Sequence, residues 1–520
     1  MNDELQRQGA NVSLWEATAT FDPLQPLTAA TEADVCVVGA GIAGMTVAYL
    51  LAREGRSVVV LDERPVGSGM TGRTTAHLVN ALDDRYFDLE RYHGSEGARL
   101  AAESHTAAID KINEIVDLEK IDCDFARVDG FLFAPPGGSM EELDRELEAC
   151  LRAGLQVKHV PKVPLDSFDS GPAILFPNQG QFHPLKYLRG LQRAILAHGG
   201  KIFTGNRAVE FEGGDNAKVT TQDRHVVRST SIVVATNTPV NDRYAIHTKQ
   251  APYTTYVAVF ECKRGTIPQI LFWDTAETAE KEKQSGVIPY HYVRTAPGGE
   301  DVDLLIVGGS DHKTGQADDF ADRYNWLEEW TRKRFDVGEI RYRWSGQVME
   351  PTDGLAFIGR NPMDKDNVYI ATGDSGNGMT HGTIAGMLIV DLINGRENPW
   401  AKLYDPSRKS LRAIAEFAKE NINVAERFGD YVTPSDVDSE DKIPRGSGAL
   451  IREGLTKVAV YRDEEGAVHR RSAICPHLKC IVQWNGNEKN WDCPCHGSRF
   501  DCTGHVINGP AISDLEPIEE

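Results

Sequence analysis

The chain has 520 residues and a mass of 57.3 kDa, with 41% hydrophobic and 26% charged residues, enough for two or three domains with ordinary cores. Its formal net charge of −21 opposes binding to nucleic acid or an anionic membrane, which need basic patches, but admits a basic partner or an amine substrate. No apolar run approaches the ~18 residues of a membrane span, and residues 1–30, with Asp3, Glu4, Trp15 and Pro23, lack the apolar core of a secretory signal.

Nine cysteines do not make a disulfide scaffold here. Five fall in the last 46 residues, while Cys36, Cys123, Cys150 and Cys262 are scattered. Lone buried thiols suit a reducing compartment, so a cytoplasmic protein is expected. No internal repeat or long low-complexity tract is visible.

Residues 1–30 read as a loose arm. Ala33 to Val38 is a short apolar, β-branched run ended by glycine, as in a buried parallel strand. Gly39, Gly41 and Gly44 follow; Met45 to Arg53 has helical spacing, and Ser57 to Leu61 is a second strand closed by Asp62 and Glu63. In that βαβ setting Gly39 permits the tight turn, Gly41 lets backbone approach a pyrophosphate, and Gly44 lets helix and strand pack closely. The helix N-terminus faces the phosphates. Asp62, with Glu63 as the alternative, is placed to bind a ribose diol. No second glycine-rich turn of this kind follows another strand. Leu304 to Gly309 is nearest, but its continuation lacks the remaining glycine and the helix. Electrons are therefore expected from an organic substrate or a protein, not from a nicotinamide.

Gly67 to His77, rich in glycine and threonine, is similar to the segment after the second strand in the FAD-dependent D-amino-acid oxidase superfamily, which includes glycine and sarcosine oxidases. Asn206 to Phe211, Ser231 to Asn237 and Pro351 to Gly359 carry the same resemblance, the last with Ala356 where the family element has proline. Tyr369 to His381 then leads through Gly373, Gly376 and Gly378 into a helix whose N-terminal amides, in the family, hold the flavin pyrimidine oxygen. This resemblance covers about residues 33–400. It implies an α/β FAD-binding Rossmann-like domain with a mainly antiparallel β-sheet substrate domain, D-amino-acid oxidase-like. The FAD contacts it implies are Gly39, Gly41, Ile42, Ala43, Gly44, Asp62, Glu63, Arg64, Gly72, Arg73, Thr74, Thr75, Ala208, Val209, Ala235, Thr236, Gly373, Asp374, Gly378, Met379 and Thr380.

Residues 84–120 and 184–198 read as helices, while 121–182 and 245–345 alternate apolar and polar as strands over the flavin. Chemistry in this superfamily usually removes hydride from a carbon bearing an amine or hydroxyl, and the protein orients the substrate. The candidate catalytic residues are Arg73 and His77, near the flavin by motif, with Tyr253, Tyr292 and Gln347. His183, Tyr256, Tyr290, His291, Arg294 and Trp344 are further candidates, although packing is the commoner use of such half-buried side chains. Arg294 could meet a substrate carboxylate. His381 is read as a possible helix cap.

Leu403 to Val424 is helical in pattern, and Thr433 to Asp441 is an acidic, Pro/Ser-containing hinge. Short strands follow at Gly448–Ile451, Lys457–Tyr461 and Val468–Ser472. Between 475 and 496 lie four cysteines and two histidines, as Cys-x-His and then Cys-x-x-His. Zinc or a [2Fe–2S] cluster could close such a set, but zinc fingers usually begin Cys-x2–4-Cys or end His-x3–5-His. Here each loop offers one thiolate and one imidazole, the Rieske arrangement. Cys475 to Phe500 resembles the Rieske family in the sub-type with an extra cysteine per loop, and the match continues to Gly509, Pro510 and Ala511. The resemblance implies a small all-β Rieske domain, the ligands Cys475, His477, Cys493 and His496, and a Cys480–Cys495 disulfide tying the loops. Two positions depart from it. Phe500 stands where high-potential members have tyrosine, and the missing hydroxyl is expected to lower the potential. Lys479 stands where glycine is common, with no reading beyond an exposed loop charge.

The expected division is 1–30 arm; 31–402 FAD-dependent oxidoreductase, with FAD-binding parts about 31–120, 184–245 and 346–402 and a substrate sheet about 121–183 and 246–345; 403–440 helix and linker; and 441–520 Rieske domain. The expected activity is oxidation of a small amine or amino acid at FAD, with single electrons relayed through the [2Fe–2S] cluster to an acceptor. Two alternatives stand beside it: reverse flow, with the cluster feeding the flavin for substrate reduction or hydroxylation, and a non-catalytic electron-transfer or redox-sensing module. The expected partners are the small substrate and an electron acceptor or donor protein, with no nucleic acid and no membrane span.

Overall fold

Val35 to Val38, Val58 to Leu61 and Ile232 to Val234 are apolar on both faces, and in the computed structural model they lie side by side as parallel strands within one sheet. The structure describes residues 9–518 except 136–137, 139, 242–245, 276–287, 410 and 455. The sheet runs in the order Phe357–Arg360, Val368–Thr372, Val226–Val234, Thr31–Val38, Val58–Asp62, Lys201–Thr204. Among the described residues only its Phe357 edge strand and the side hairpin Ala208–Glu212/Lys218–Thr221 are antiparallel. The helices Ile42–Arg53 and Gly378–Ile393 pack together beside it. A Cβ at Gly382 would lie 2.6 Å from Ile42 Cγ2, and one at Gly386 2.4 Å from Thr46 Cγ2, so glycine sets how closely the two helices approach.

The second sheet runs Ile340–Pro351, Gln250–Lys263, Val302–Lys313, Ile288–Pro297, Leu271–Asp274, Ala126–Phe133, Ala173–Gln181, His77–Leu78. Among the described residues its one parallel pair joins Leu271–Asp274 to Ala126–Phe133. The strand Gln250–Lys263 shows why it lies between two cores. Val257 and Val259 face the core shared with the first sheet; Tyr256, Ala258, Phe260 and Cys262 face a second core under the helix Phe320–Arg332.

The C-terminal region is two small antiparallel sheets: Ser447–Glu453, Thr456–Arg462 and Val468–Ser472, then Gln483–Asn485, Asn490–Asp492, Arg499–Asp501 and Val506–Asn508. Leu450, Ala459, Trp491, Phe500 and Leu515 close one core around the cysteines.

Three expectations are corrected. Residues 9–30 are not a loose arm: Ser13, Trp15 and Leu27 are buried, Trp15 Nε1 donates to Thr74 O at 2.6 Å, and Ala10 N donates to Glu488 O at 2.9 Å. The anchors are too widely spaced to form a periodic pattern. Leu403 to Val424 is not one helix. Ala401–Tyr404 stops before Pro406, which cannot continue it, and Ile414–Arg427 is separate. The acidic stretch 433–441 is tied down rather than hinged, since Leu450 N donates to Asp436 Oδ2 at 2.8 Å, Asp436 N donates to Leu450 O, and Arg452 N donates to Ser435 Oγ at 2.8 Å.

Candidate flavin and cluster sites

Gly39 turns with φ +107°, and a Cβ there would sit 2.2 Å from Ala235 O. A Cβ on Gly44 would sit 1.9 Å from Gly39 O, so helix and turn close only around glycine. Gly41 instead presents its bare Cα to a long cavity, with Thr71 Oγ1 its sole near neighbour at 3.2 Å. Asp62 holds this loop: its carboxylate accepts from Ala40 N at 2.7 Å and Arg64 N at 2.9 Å. Glu63 pairs with Arg207 at 2.7 Å. Both acids line the cavity. Arg64 Nη1, buried at the same end, has no hydrogen-bond partner among the described residues. A bare glycine loop, a helix N-terminus and an orphaned guanidinium nitrogen together fit a dinucleotide pyrophosphate.

Of the other implied FAD contacts, Gly39, Ile42, Ala43, Arg73, Thr74, Thr75, Ala208, Ala235, Thr236, Gly373, Asp374, Gly378 and Met379 line the cavity; Gly44, Gly72, Val209 and Thr380 do not. Gly72 packs against Gly67, and Thr380 Oγ1 faces His105 Nδ1 at 2.8 Å.

Two tight loops bring the cluster candidates together. Cys475 N donates to Cys480 O at 2.8 Å and Lys479 N to Cys475 O at 3.0 Å; Cys493 N donates to Ser498 O at 2.8 Å and Gly497 N to Cys493 O at 3.1 Å. Cys475 and Cys493 are buried within hydrogen-bond reach of each other. The rings of His477 and His496 stand 5.1 Å apart, nearly perpendicular. His496 Nδ1 is buried without a hydrogen-bond partner among the described residues, which fits an imidazole waiting for an inorganic ligand. Cys480 and Cys495 form the disulfide between the loops. Lys479 has φ +69°, a left-handed conformation that explains why glycine suits the position; Tyr431 OH donates to its carbonyl.

The cluster domain forms part of the flavin cavity's wall, through Val506, Ile507, Asn508, Gly509 and Ala511. Gln347 also lines that cavity. Its Nε2 donates to Gly497 O at 3.0 Å, beside His496, and its Oε1 accepts from Asn508 Nδ2 at 2.7 Å. The His247 ring lies 4.9 Å from that of His477 and 6.1 Å from that of His496. Arg73 and Glu488 form a fully buried ion pair at 3.2 Å across the same interface, and Arg207 reaches Asp514 at 3.0 Å.

The catalytic candidates separate. His77, Tyr292 and Gln347 line the cavity; Tyr253 does not, because its strand turns it toward Lys313. Arg73 is committed to Glu488 and to the carbonyls of Ser345 and Asn11, so it anchors rather than reacts. Arg294 is neither solvated nor substrate-facing: its Nη1 donates to Thr75 O, Ala76 O and Phe182 O. His183 caps the helix Pro184–Ala197, and Trp344 Nε1 donates to Arg73 O. His381 lines the cavity in the first turn of its helix. Sequence reasoning missed His247, Glu488, Asn508 and the carboxylates Asp83, Asp311 and Glu350, which belong to no motif and meet only through the fold.

Site and fold together define a flavin oxidoreductase with an attached iron–sulfur domain. Residues 34–392 match the FAD dependent oxidoreductase (DAO) family and residues 433–519 the Rieske [2Fe-2S] domain. The chain belongs to the DAO family of FAD-dependent enzymes and carries a C-terminal Rieske domain; its cofactors are FAD and a [2Fe–2S] cluster. It is 32% identical over 508 residues to the Rieske 2Fe-2S iron–sulfur protein YhfW of Bacillus subtilis (strain 168), covering 97% of each chain. It is 27% identical over 392 residues to gamma-glutamylputrescine oxidoreductase of Escherichia coli (strain K12), covering 74% of this chain and 89% of that one. Glycine oxidase from Geobacillus kaustophilus shares the fold, with TM-score 0.58 and 16% identity over 73% of this chain and 99% of that one. No described helix is long and apolar enough to cross a membrane.

Proposed function

We propose that the enzyme oxidises a small amine or amino acid at a C–N bond and passes the electrons singly to the cluster and on to an acceptor, with Cys475, His477, Cys493 and His496 as cluster ligands. The bridge made by Gln347, one side chain touching both the flavin cavity and the loop next to His496, carries this reading. Bound FAD supplies a hydride acceptor and the cluster a one-electron carrier. The chain's own residues shape the reacting end. Burial first, then Arg294, holds the His77 imidazole down to about 3, so it stays neutral. The proton-accepting groups there are carboxylates: burial raises Asp83 to about 7 and Asp311 to about 6. Tyr292 and Thr255 share a hydroxyl hydrogen bond on the wall. The relative that acts on gamma-glutamylputrescine supports a C–N substrate.

The test is anaerobic mixing with a panel of amines and amino acids, following flavin bleaching and then the reduced-cluster EPR signal. Bleaching without cluster reduction sinks the relay. Gln347→Ala should leave bleaching intact and slow cluster reduction by about tenfold or more, the scale on which a misplaced contact acts.

A further inference from the structure

Four carboxylates from different parts of the chain converge on one end of the flavin cavity: Asp83, Asp311, Glu350 and Asp374. They are poorly partnered. Asp311 Oδ2 accepts from Tyr290 OH at 3.2 Å and the Thr255 hydroxyl faces the carboxylate, but Oδ1 has no hydrogen-bond partner among the described residues although the residue is only 7% exposed. The Ser375 hydroxyl lies 2.5 Å from Asp84 Oδ2 and 2.8 Å from Glu350 Oε2, yet has one proton to share between two acids. Asp83 is exposed to the open cavity.

Arg85 and Arg323 act on Asp83 and Asp311, but neither lines the cavity. Among the described residues the arginines on the cavity wall are Arg64, Arg73 and Arg207; Arg73 pairs with Glu488 and Arg207 with Glu63 and Asp514, while Arg64, 3.5 Å from Glu63, keeps its free Nη1 at the pyrophosphate end. Arg294 is locked onto backbone carbonyls. A zwitterionic amino acid would bring its carboxylate among like charges with no guanidinium or ammonium to meet it, which costs free energy in a low-dielectric site. An added positive charge would instead meet acids that have no cation beside them on the wall, Asp311 among them buried, and the rings of Tyr290, Tyr292 and Trp273 on the same cavity favour ammonium groups.

We propose that this end of the cavity selects an amine that lacks a carboxylate and carries a second positive charge, a diamine or polyamine, with one ammonium seated at Asp311 beside Asp83. The inference rests on the reading that an amine is oxidised at the flavin, and narrows its substrate class.

The test uses the full-length holoenzyme. Calorimetry on dithionite-reduced enzyme, which binds without turning over, compares diaminobutane, butylamine, glycine and proline. Diaminobutane should bind about tenfold more tightly than butylamine and about a hundredfold more tightly than either amino acid, tenfold being one missing charge contact. Asp311→Asn should weaken diaminobutane about tenfold and butylamine little. Glycine or proline binding as tightly as diaminobutane overturns the proposal, as does an Asp311→Asn enzyme of wild-type FAD content with unchanged affinity. Should that variant lose FAD, the wild-type ranking decides alone. Bleaching of the oxidised enzyme by the same panel separates the two ideas. Tight diamine binding with no bleaching by any compound refutes amine oxidation and leaves the ligand class standing; bleaching by glycine with weak diamine binding does the reverse.

Discussion

At Phe500, fully buried on the strand Arg499–Asp501 and packed in the cluster core, the chain has a ring and no hydroxyl. Phe500→Tyr should raise the cluster potential on the order of tens of millivolts, because a donor near a cluster sulfur stabilises the reduced state. An EPR-monitored redox titration reads it, and an unchanged potential would refute the hydrogen-bond argument. Glu488 is a second such residue. Replacing it with Gln strands the Arg73 charge in the interior, which should cost roughly 3–5 kcal/mol and lower the melting temperature. Adding Arg73→Met to that variant should recover much of the loss; no recovery would mean that Glu488 acts through Ser345 instead. The cavity carboxylates give a pH prediction. Burial raises Asp83 to about 7 and Asp311 to about 6, so both are protonated in the folded enzyme at acidic pH, where an unfolded carboxylate has ionised. Their contribution to stability is present at low pH and lost as pH rises through those values. Cation affinity moves the opposite way, since ionised carboxylates attract ammonium. It should rise between about pH 5.5 and 8, with Tyr290, Thr255 and Arg323 facing Asp311, and Arg85, Asp84 and Asp374 facing Asp83. A flat profile would count against these groups as the cation site.

Among elements, the glycine turn between Thr31–Val38 and Ile42–Arg53 is the least tolerant. Gly44→Ala places a Cβ against Gly39 O, so the purified variant should hold FAD at least about tenfold more weakly; a fully yellow protein would disprove that. This turn was legible because its glycines, strand and helix are contiguous, and each glycine answers a local steric demand. The cluster loops were legible for the same reason, as ligand types at fixed short spacing. Tyr253 was misplaced because period-two alternation says that a strand has two faces, not which face looks at the flavin. Lys479 was unreadable because a positive φ leaves no mark when the residue is not glycine.

For the whole molecule, the main finding is that the cluster loops are docked. His496 is 4% exposed, Gly497 sits against Gln347 and Pro252, and the N-terminal residues thread between the domains. With the loops docked in this way, the proposed relay calls for no movement of the domain. Inserting a few glycines and serines at exposed Gly429, ahead of the contacts that tie 431–436 to the cluster domain, should therefore change the rate of cluster reduction by no more than about twofold, as expected of flexible surface insertions. A large drop would show that the domain swings.

The sequence alone determined the two cofactors and the kind of fold around each, because both rest on short contiguous motifs whose chemistry is local. It also carried the unusual Phe500. Only the tertiary structure decided how the two sites meet and what the cavity admits. Gln347, His247, Arg73 with Glu488, and the carboxylates Asp83, Asp311 and Glu350 come from segments far apart in the chain. Their roles depend on which side chains share a low-dielectric space, and a linear pattern does not encode that.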